Sequence, residues 1–240
     1  LRDIALPLLL LFSVTMFYNS AFLGCQPDGK ASCYEEGFPW DNVLQKMFAQ
    51  NVAEGNPKQL MGDWQGSDRP PLISGVILAQ LPLAQYEYVG SNGYQLLASL
   101  LQCTWLLGFW ILGRKLKLKP SALGIVLAVC IFSGFFFFNS IFVWPKLIAA
   151  SLGILAFCLL FFEERSKLIW IIAGAALGAS YLSHSGVAFA FLPIFAALLL
   201  KQYRPSYKIA LIGTIAALLL VLPWIAYQKF YDPPGNRLQK

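Results

Sequence analysis

The chain has 240 residues, of which 58% are hydrophobic and only 12% charged, with a formal net charge of +6. A soluble domain carries roughly 25% charged residues, so this composition excludes an ordinary water-soluble fold, and the mean hydropathy of +0.60 agrees. In so apolar a chain the positive balance reports topology rather than a nucleic-acid partner.

Seven apolar runs are long enough, or nearly long enough, to cross a bilayer: residues 4–23, 93–112, 121–142, 145–162, 168–182, 186–200 and 208–227. A span takes about 20 residues, with a range near 17–25. The fifth and sixth runs are short. The first continues into an ordered pattern with no small-residue cleavage site, which argues against a secretory signal. The expectation is an all-α polytopic membrane protein, a single transmembrane domain over residues 1–240 with about seven transmembrane helices. A chain that starts at Leu1 and stops after a proline-glycine turn reads as the N-terminal portion of a longer one.

The run 72–84 is the ambiguous one, and it follows the polar stretch "GDWQGSDRPP". Thirteen helical residues reach roughly 20 Å, short of a hydrocarbon core near 30 Å, as in re-entrant or interfacial segments. Charge counting decides the same way. If the run does not cross and the N-terminus is cytoplasmic, ten bases and three acids fall on the cytoplasmic side: "GRKLKLKP", "EERSK" and "KQYRPSYK" supply most of the bases. The other side then holds eight bases and nine acids. A crossing would put all three basic links outside, against the positive-inside rule. Residues 24–92 thus form one long external loop.

Loops of this length without a role are uncommon. "CQPDGKASC" reads either as a disulfide of Cys25 with Cys33 in an oxidising compartment or as two free thiols. Cys103, Cys130 and Cys158 lie inside spans and read as small packing residues. In "FPWDNVLQKMFAQNVAEGNP", Val43, Leu44, Met47, Phe48 and Val52 recur at three- and four-residue intervals, while Asn42, Gln45, Lys46, Gln50 and Glu54 fall elsewhere. This predicts an amphipathic helix of about 13 residues on the bilayer surface. Asp41 stands at its N-cap and Gly55-Asn56-Pro57 stops it. A second surface helix starts at Pro71, where proline suits a first turn. Glu87 between Tyr86 and Tyr88 reads as an interfacial belt, and residues 135–138, all phenylalanine, as lipid-facing or packing surface.

The order of these pieces resembles the GT-C superfamily of polyprenyl-phosphate-sugar glycosyltransferases, in particular its protein O-mannosyltransferase and aminoarabinose-transferase branch. "WDNVLQKMFAQNVAEGNP" is similar to that family's loop helix, D-E-x-x-Y-x-x-x-A-R-N-L-x-E-G, from Asp41 to Gly55. "SDRPPLISGVIL" resembles its proline-rich entry to a short helix. "FVWPKLIAASLGIL" and "YLSHSGVAFAFLP" resemble its external turns after the third and fifth spans. The resemblance covers nearly the whole chain. It implies a sugar donor carried on polyprenyl phosphate, a lipid, glycan or protein acceptor, and a site on the periplasmic face of a bacterial inner membrane. It also implies that Asp41 is the catalytic base. Three positions depart from the pattern: the usual second acid is Asn42, the third-span turn reads Trp144-Pro145-Lys146, and the fifth reads His184-Ser185-Gly186. Fewer acids weaken the case for a divalent cation, more bases fit phosphate, and no other cofactor is implied.

The residues themselves support two readings each. An acceptor hydroxyl is a weak nucleophile, so a carboxylate near its proton helps; Asp41 is either that base or an ordinary cap. Asp63 and Asp68 either bind sugar or acceptor hydroxyls or shape turns. Arg69 either clamps a phosphate or pairs with Asp68 or a lipid headgroup. Lys146 either binds phosphate or snorkels at a span edge. His184 is the only histidine, so it builds no histidine metal cluster; it hydrogen-bonds either a phosphate or a neighbouring loop. Competing functions are a transporter or flippase of a lipid-linked sugar and a non-catalytic scaffold. Transporters place ionisable groups at mid-membrane, whereas here the polar density lies in the loop.

Overall fold

The computed structural model describes residues 2–23, 38–56, 60, 64–80, 91–164, 166–200 and 205–232, and every element among them is helical. In chain order these are α1 (Arg2–Leu23), α2 (Leu44–Ala53), α3 (Leu72–Gln80), α4 (Ser91–Gln102), α5 (Trp105–Lys115), α6 (Pro120–Ile131), α7 (Gly134–Ile141), α8 (Lys146–Phe162), α9 (Lys167–Ser183), α10 (Ala188–Leu199) and α11 (Tyr207–Ala226). Cys25, Cys33, Asp63, Tyr86, Glu87 and Tyr88 lie outside the described residues, as do residues 81–84 of the ambiguous run.

Helix covers each of the seven apolar runs, but not as seven uniform spans. Among the described residues, three stretches are long and apolar enough to cross a membrane, namely Ile4–Ala21, Gly93–Lys115 and Tyr207–Tyr231. A fourth counts only if α6 and α7 are taken together, and these are bent by 64° at Phe132 and Ser133. The bend has a local cause: Ser133 leaves helical geometry and its hydroxyl accepts the Phe135 N–H, capping a new helix. The sequence gives one continuous run there, because every flanking residue is apolar. The remaining apolar helices, Lys146–Phe162, Lys167–Ser183 and Ser185–Leu199, are shorter.

The outer faces are apolar. On α1, Ile4, Leu9, Phe12 and Met16 are exposed while Leu11, Val14 and Tyr18 are buried. On α11, Leu211, Leu219 and Leu222 are exposed. Such surface is unfavourable in water and suits a lipid environment. Within 135–138, Phe135 and Phe138 are exposed, whereas Phe136 packs on Trp105 and Phe137 on Tyr18. Cys103 and Cys158 are buried, as packing residues should be.

The tightest contact in the bundle joins α9 to α11. A Cβ added at Gly174 would lie 2.0 Å from the Gly213 carbonyl oxygen, and one at Gly178 would lie 3.0 Å from that of Ala217. Small residues four apart on both helices let the backbones touch, which is how helices associate where lipid removes the hydrophobic drive.

α2 and α3 pack on each other and on the end of this bundle. Leu44 and Phe48 of α2 join Leu182 of α9 and Trp224 of α11 in one buried cluster. The amphipathic period of α2 is therefore answered by protein, and the expectation that this stripe faces the bilayer surface is corrected. Gln45, expected on the polar side, is also buried, and its Oε1 accepts the Ser74 hydroxyl at 2.5 Å. The predicted stop of α2 is present. Gly55 has φ +79°, and the Asn56 N–H reaches the Asn51 carbonyl at 2.8 Å, a left-handed C-terminal cap that favours glycine.

Candidate functional site

The site forms where three stretches outside the α-helices meet: residues 38–43 before α2 and 64–71 before α3, each with one 3₁₀ turn, and 142–145 between α7 and α8. Backbone without helix leaves donors and acceptors that buried surroundings must satisfy. Three amide side chains do so for residues 141–148. Gln95 donates to the Ile141 carbonyl and Gln102 to that of Trp144. Asn42 Oδ1 accepts the Val143 N–H at 2.7 Å, and Gln102 Oε1 accepts the Ile148 N–H at 3.1 Å.

Asn42 is 1% exposed. Its Nδ2 donates to Gln95 Oε1 at 3.0 Å, and its carbonyl accepts the Tyr94 hydroxyl at 2.6 Å. Position 42 must therefore donate and accept at once, and a carboxylate only accepts. Because Asn42 is locked to Val143, its neighbour Asp41 is fixed beside Trp144.

Asp41 does not cap α2, so that expectation is corrected. It sits in a 3₁₀ turn, Trp40–Asn42, and the helix N-cap is Val43, which makes no side-chain cap. Its carboxylate turns to Arg69 instead, with Asp41 Oδ1 accepting from Arg69 Nη2 at 2.5 Å. The anticipated partner of Arg69, Asp68, is close enough to favour the guanidinium charge, and its Oδ2 accepts the Gln65 N–H at 2.8 Å. Burial pulls the Arg69 pKa below its ordinary value, and Asp41 and Asp68 act against that pull.

The Arg69 guanidinium lies 4.5 Å from the ring centroids of both Trp64 and Trp144. The Lys146 ammonium lies 5.0 Å from that of Trp144. Aromatic faces attract such cations, by about 0.5–2 kcal/mol each. Two orphaned donors are also here: Arg69 Nε and Trp144 Nε1 are buried without a hydrogen-bond partner among the described residues. Leaving a buried donor unmade costs about 1–3 kcal/mol.

A cavity of about 430 Å³ opens among these groups, lined by Asp41, Gln45, Trp64, Asp68, Arg69, Trp144, Lys146, Ser183 and His184. It therefore gathers Asp41, Asp68, Arg69, Lys146 and His184, which stand up to 143 positions apart in the sequence. Asp63 is outside the described residues. Burial lowers the His184 pKa, and the charges of Lys146 and Arg69 lower it further, so the imidazole is neutral at pH 7. Its ring folds over Gly186, where an added Cβ would come within 2.9 Å of Cε1.

A second cavity, of about 490 Å³, adjoins the first. Lys146 and His184 line both, and the rest of its wall is Ala149, Gly153, Ile154, Phe157, Val187, Ala190, Phe191 and other apolar residues of α8 and α10. Charged groups thus stand at the junction of a polar chamber and an apolar groove.

Reasoning from sequence missed Trp64, Trp144 and the three amides as parts of the site. The tryptophans stand beside charged residues in "GDWQGSDR" and "VWPK", the available signal. Gln95 and Gln102 carry no signal, since their partners are distant in the sequence, and Asn42 stood out only against the acid that the resemblance implies there. Among the described residues no three His, Cys, Asp or Glu side chains cluster as metal ligands. Comparison of the chain with protein-family models, with curated proteins and with solved structures found no match.

Proposed function

We propose that this chain is a membrane glycosyltransferase of the GT-C type, moving a sugar from a polyprenyl-phosphate donor to a hydroxyl acceptor. The observation that carries the reading is the polar chamber, with Asp41 and Arg69 in contact inside it and an apolar groove leading off past Lys146 and His184. A lipid-linked sugar has the same three parts: an apolar tail for the groove, a phosphate for the cations, and a sugar for the chamber. The chamber lies on the loop side of the bundle, which charge counting makes the external side; on the GT-C reading that is the periplasmic face of a bacterial inner membrane, crossed by about seven spans.

In this mechanism the acceptor oxygen attacks the anomeric carbon while the bond from that carbon to the phosphate oxygen breaks. Asp41 takes the acceptor proton, and the polyprenyl phosphate leaves with the electron pair of the broken bond. Charge grows on the phosphate during the step, and cations held ready in a low-dielectric site stabilise it. Arg69 has two roles. It pairs with Asp41, and it is the fork-shaped donor best suited to phosphate oxygens. A donor phosphate competes with Asp41 for the guanidinium and so frees Oδ1 for the proton. Acceptor-rich phosphate also offers partners to the unmade N–H groups of Arg69 and Trp144.

The test is release of free undecaprenyl phosphate when the purified chain meets an undecaprenyl-phosphate-linked sugar and an acceptor. Release by the wild type and not by Asp41→Asn is the expected result. Movement of the intact lipid-linked sugar between leaflets without release would replace the enzyme by a flippase. Neither activity would leave a non-catalytic scaffold.

A further inference from the structure

The loop that carries Asp68 and Arg69 is held from the far end of the sequence. Every hydrogen-bonding group of Ser67 is engaged by residues just beyond α11. The Ser67 N–H donates to Asp232 Oδ2 at 3.0 Å, its hydroxyl donates to the Asp232 carbonyl at 3.1 Å, and its carbonyl accepts from Gln228 Nε2 at 2.9 Å. Ser67 is fully buried and Asp232 is 3% exposed. A buried carboxylate is costly unless something specific is gained.

The backbone around Asp232 is unusual as well. α11 ends in a π-helical turn, Tyr227–Tyr231, closed by the Asp232 N–H on the Tyr227 carbonyl at 3.0 Å. Such turns are rare and concentrate at functional positions. The turn is braced on the site side, with Tyr227 stacked on Trp224 at 5.2 Å and Phe48 of α2 against both rings.

We propose that Asp232, assisted by Gln228, is a positioning residue that sets the Asp68 and Arg69 wall of the cavity through Ser67. Arg69 follows Ser67 by two residues, so a loop that drifts takes the guanidinium away from Asp41 and from the two tryptophan faces. The chemical consequence rests on the glycosyl-transfer reading; the clasp itself rests on the three hydrogen bonds.

The experiment uses the full chain in detergent micelles and reads two quantities. One is amide hydrogen exchange of residues 64–69. The other is the split of KM and kcat for an undecaprenyl-phosphate-linked sugar. In Asp232→Ala, exchange speeds by about tenfold and the donor KM rises by about tenfold, as expected for loss of a charge-assisted hydrogen bond. Asp232→Asn keeps an acceptor for the Ser67 N–H and restores both. If Asp232→Ala fails to fold, Gln228→Ala is read instead and shows the same two changes, smaller. Unchanged exchange in the readable variant overturns the clasp, and faster exchange with an unchanged donor KM overturns its positioning role. Should the wild type transfer no sugar, the functional reading falls, and the exchange of residues 64–69 alone supports or overturns the clasp.

Discussion

Along the α9 and α11 seam, Gly174 and Gly213 bring two helix backbones together with no side chain between them. Over the cavity, Asn42, Gln95 and Gln102 reach across to the break between α7 and α8, from Ile141 at the end of α7 to Trp144. Both regions bury backbone, and they differ in what they tolerate. The seam is specified by the absence of atoms, so it fails when a residue grows. The roof is specified by directed hydrogen bonds, so it fails when one amide is lost, whatever its size. The bundle is therefore rigid where the helices cross and chemically addressable where it is irregular, which is where Asp41, Arg69, Lys146 and His184 meet.

Four measurements test that contrast. The largest effect is expected at the cavity and on activity. Asp41→Asn should lower sugar transfer by at least about 100-fold, the size of a lost general base. The variant should still fold, with a lower thermal midpoint because Arg69 loses its counter-charge, and an active variant would remove Asp41 from the mechanism. The next effect is expected at the seam and on stability. Gly174→Ala should cost about 1–3 kcal/mol or more by overpacking, seen as a fall in thermal midpoint, with Gly178→Ala milder because its Cβ would sit 3.0 Å rather than 2.0 Å from the facing carbonyl.

Gln102→Leu tests whether the two regions are separate. It leaves the Trp144 carbonyl and the Ile148 N–H unmade, at about 1–3 kcal/mol for each buried group. It should also slow transfer, because Trp144 and Lys146 lose their anchor, whereas a seam variant of equal instability should not. The smallest effect concerns His184. Its pKa is held below the ordinary value in the folded chain, so below about pH 6.5 the unfolded chain takes up the proton first and stability drops as pH falls. Thermal midpoints of wild type and His184→Asn should converge between about pH 7 and pH 5 if the variant is the less stable at pH 7. A difference that ignores pH would show that the imidazole does not titrate against Lys146 and Arg69.

Much of this arrangement was legible in the chain itself, for a physical reason. Composition and run length specify helices, and a motif such as "DNVLQKMFAQNVAEG" states in one place where a helix stops. Asp41, Asp68, Arg69, Lys146 and His184 were identifiable because each stands at a helix end, where a charged residue in an apolar chain needs a reason. What the reading lacked was pairwise and distant. The period of α2 could not say whether lipid or Trp224 would cover it. An aspartate before an apolar run looks like a cap until a guanidinium 28 residues later claims it. The break at Ser133 was invisible because hydropathy does not register a hydroxyl capping its own neighbour.

Asn42 carries a consequence for how such a sequence diverges. Its amide gives a proton to Gln95 and takes one from Val143, so neither position 42 nor position 95 is free to drift alone. A lineage that exchanges Asn42 for an acid must, in the same step, replace the acceptor at 95 by a donor or admit a new counter-charge. Two chains can therefore differ at position 42 and still hold the residue at position 41 in the same place, provided the paired position has changed with it.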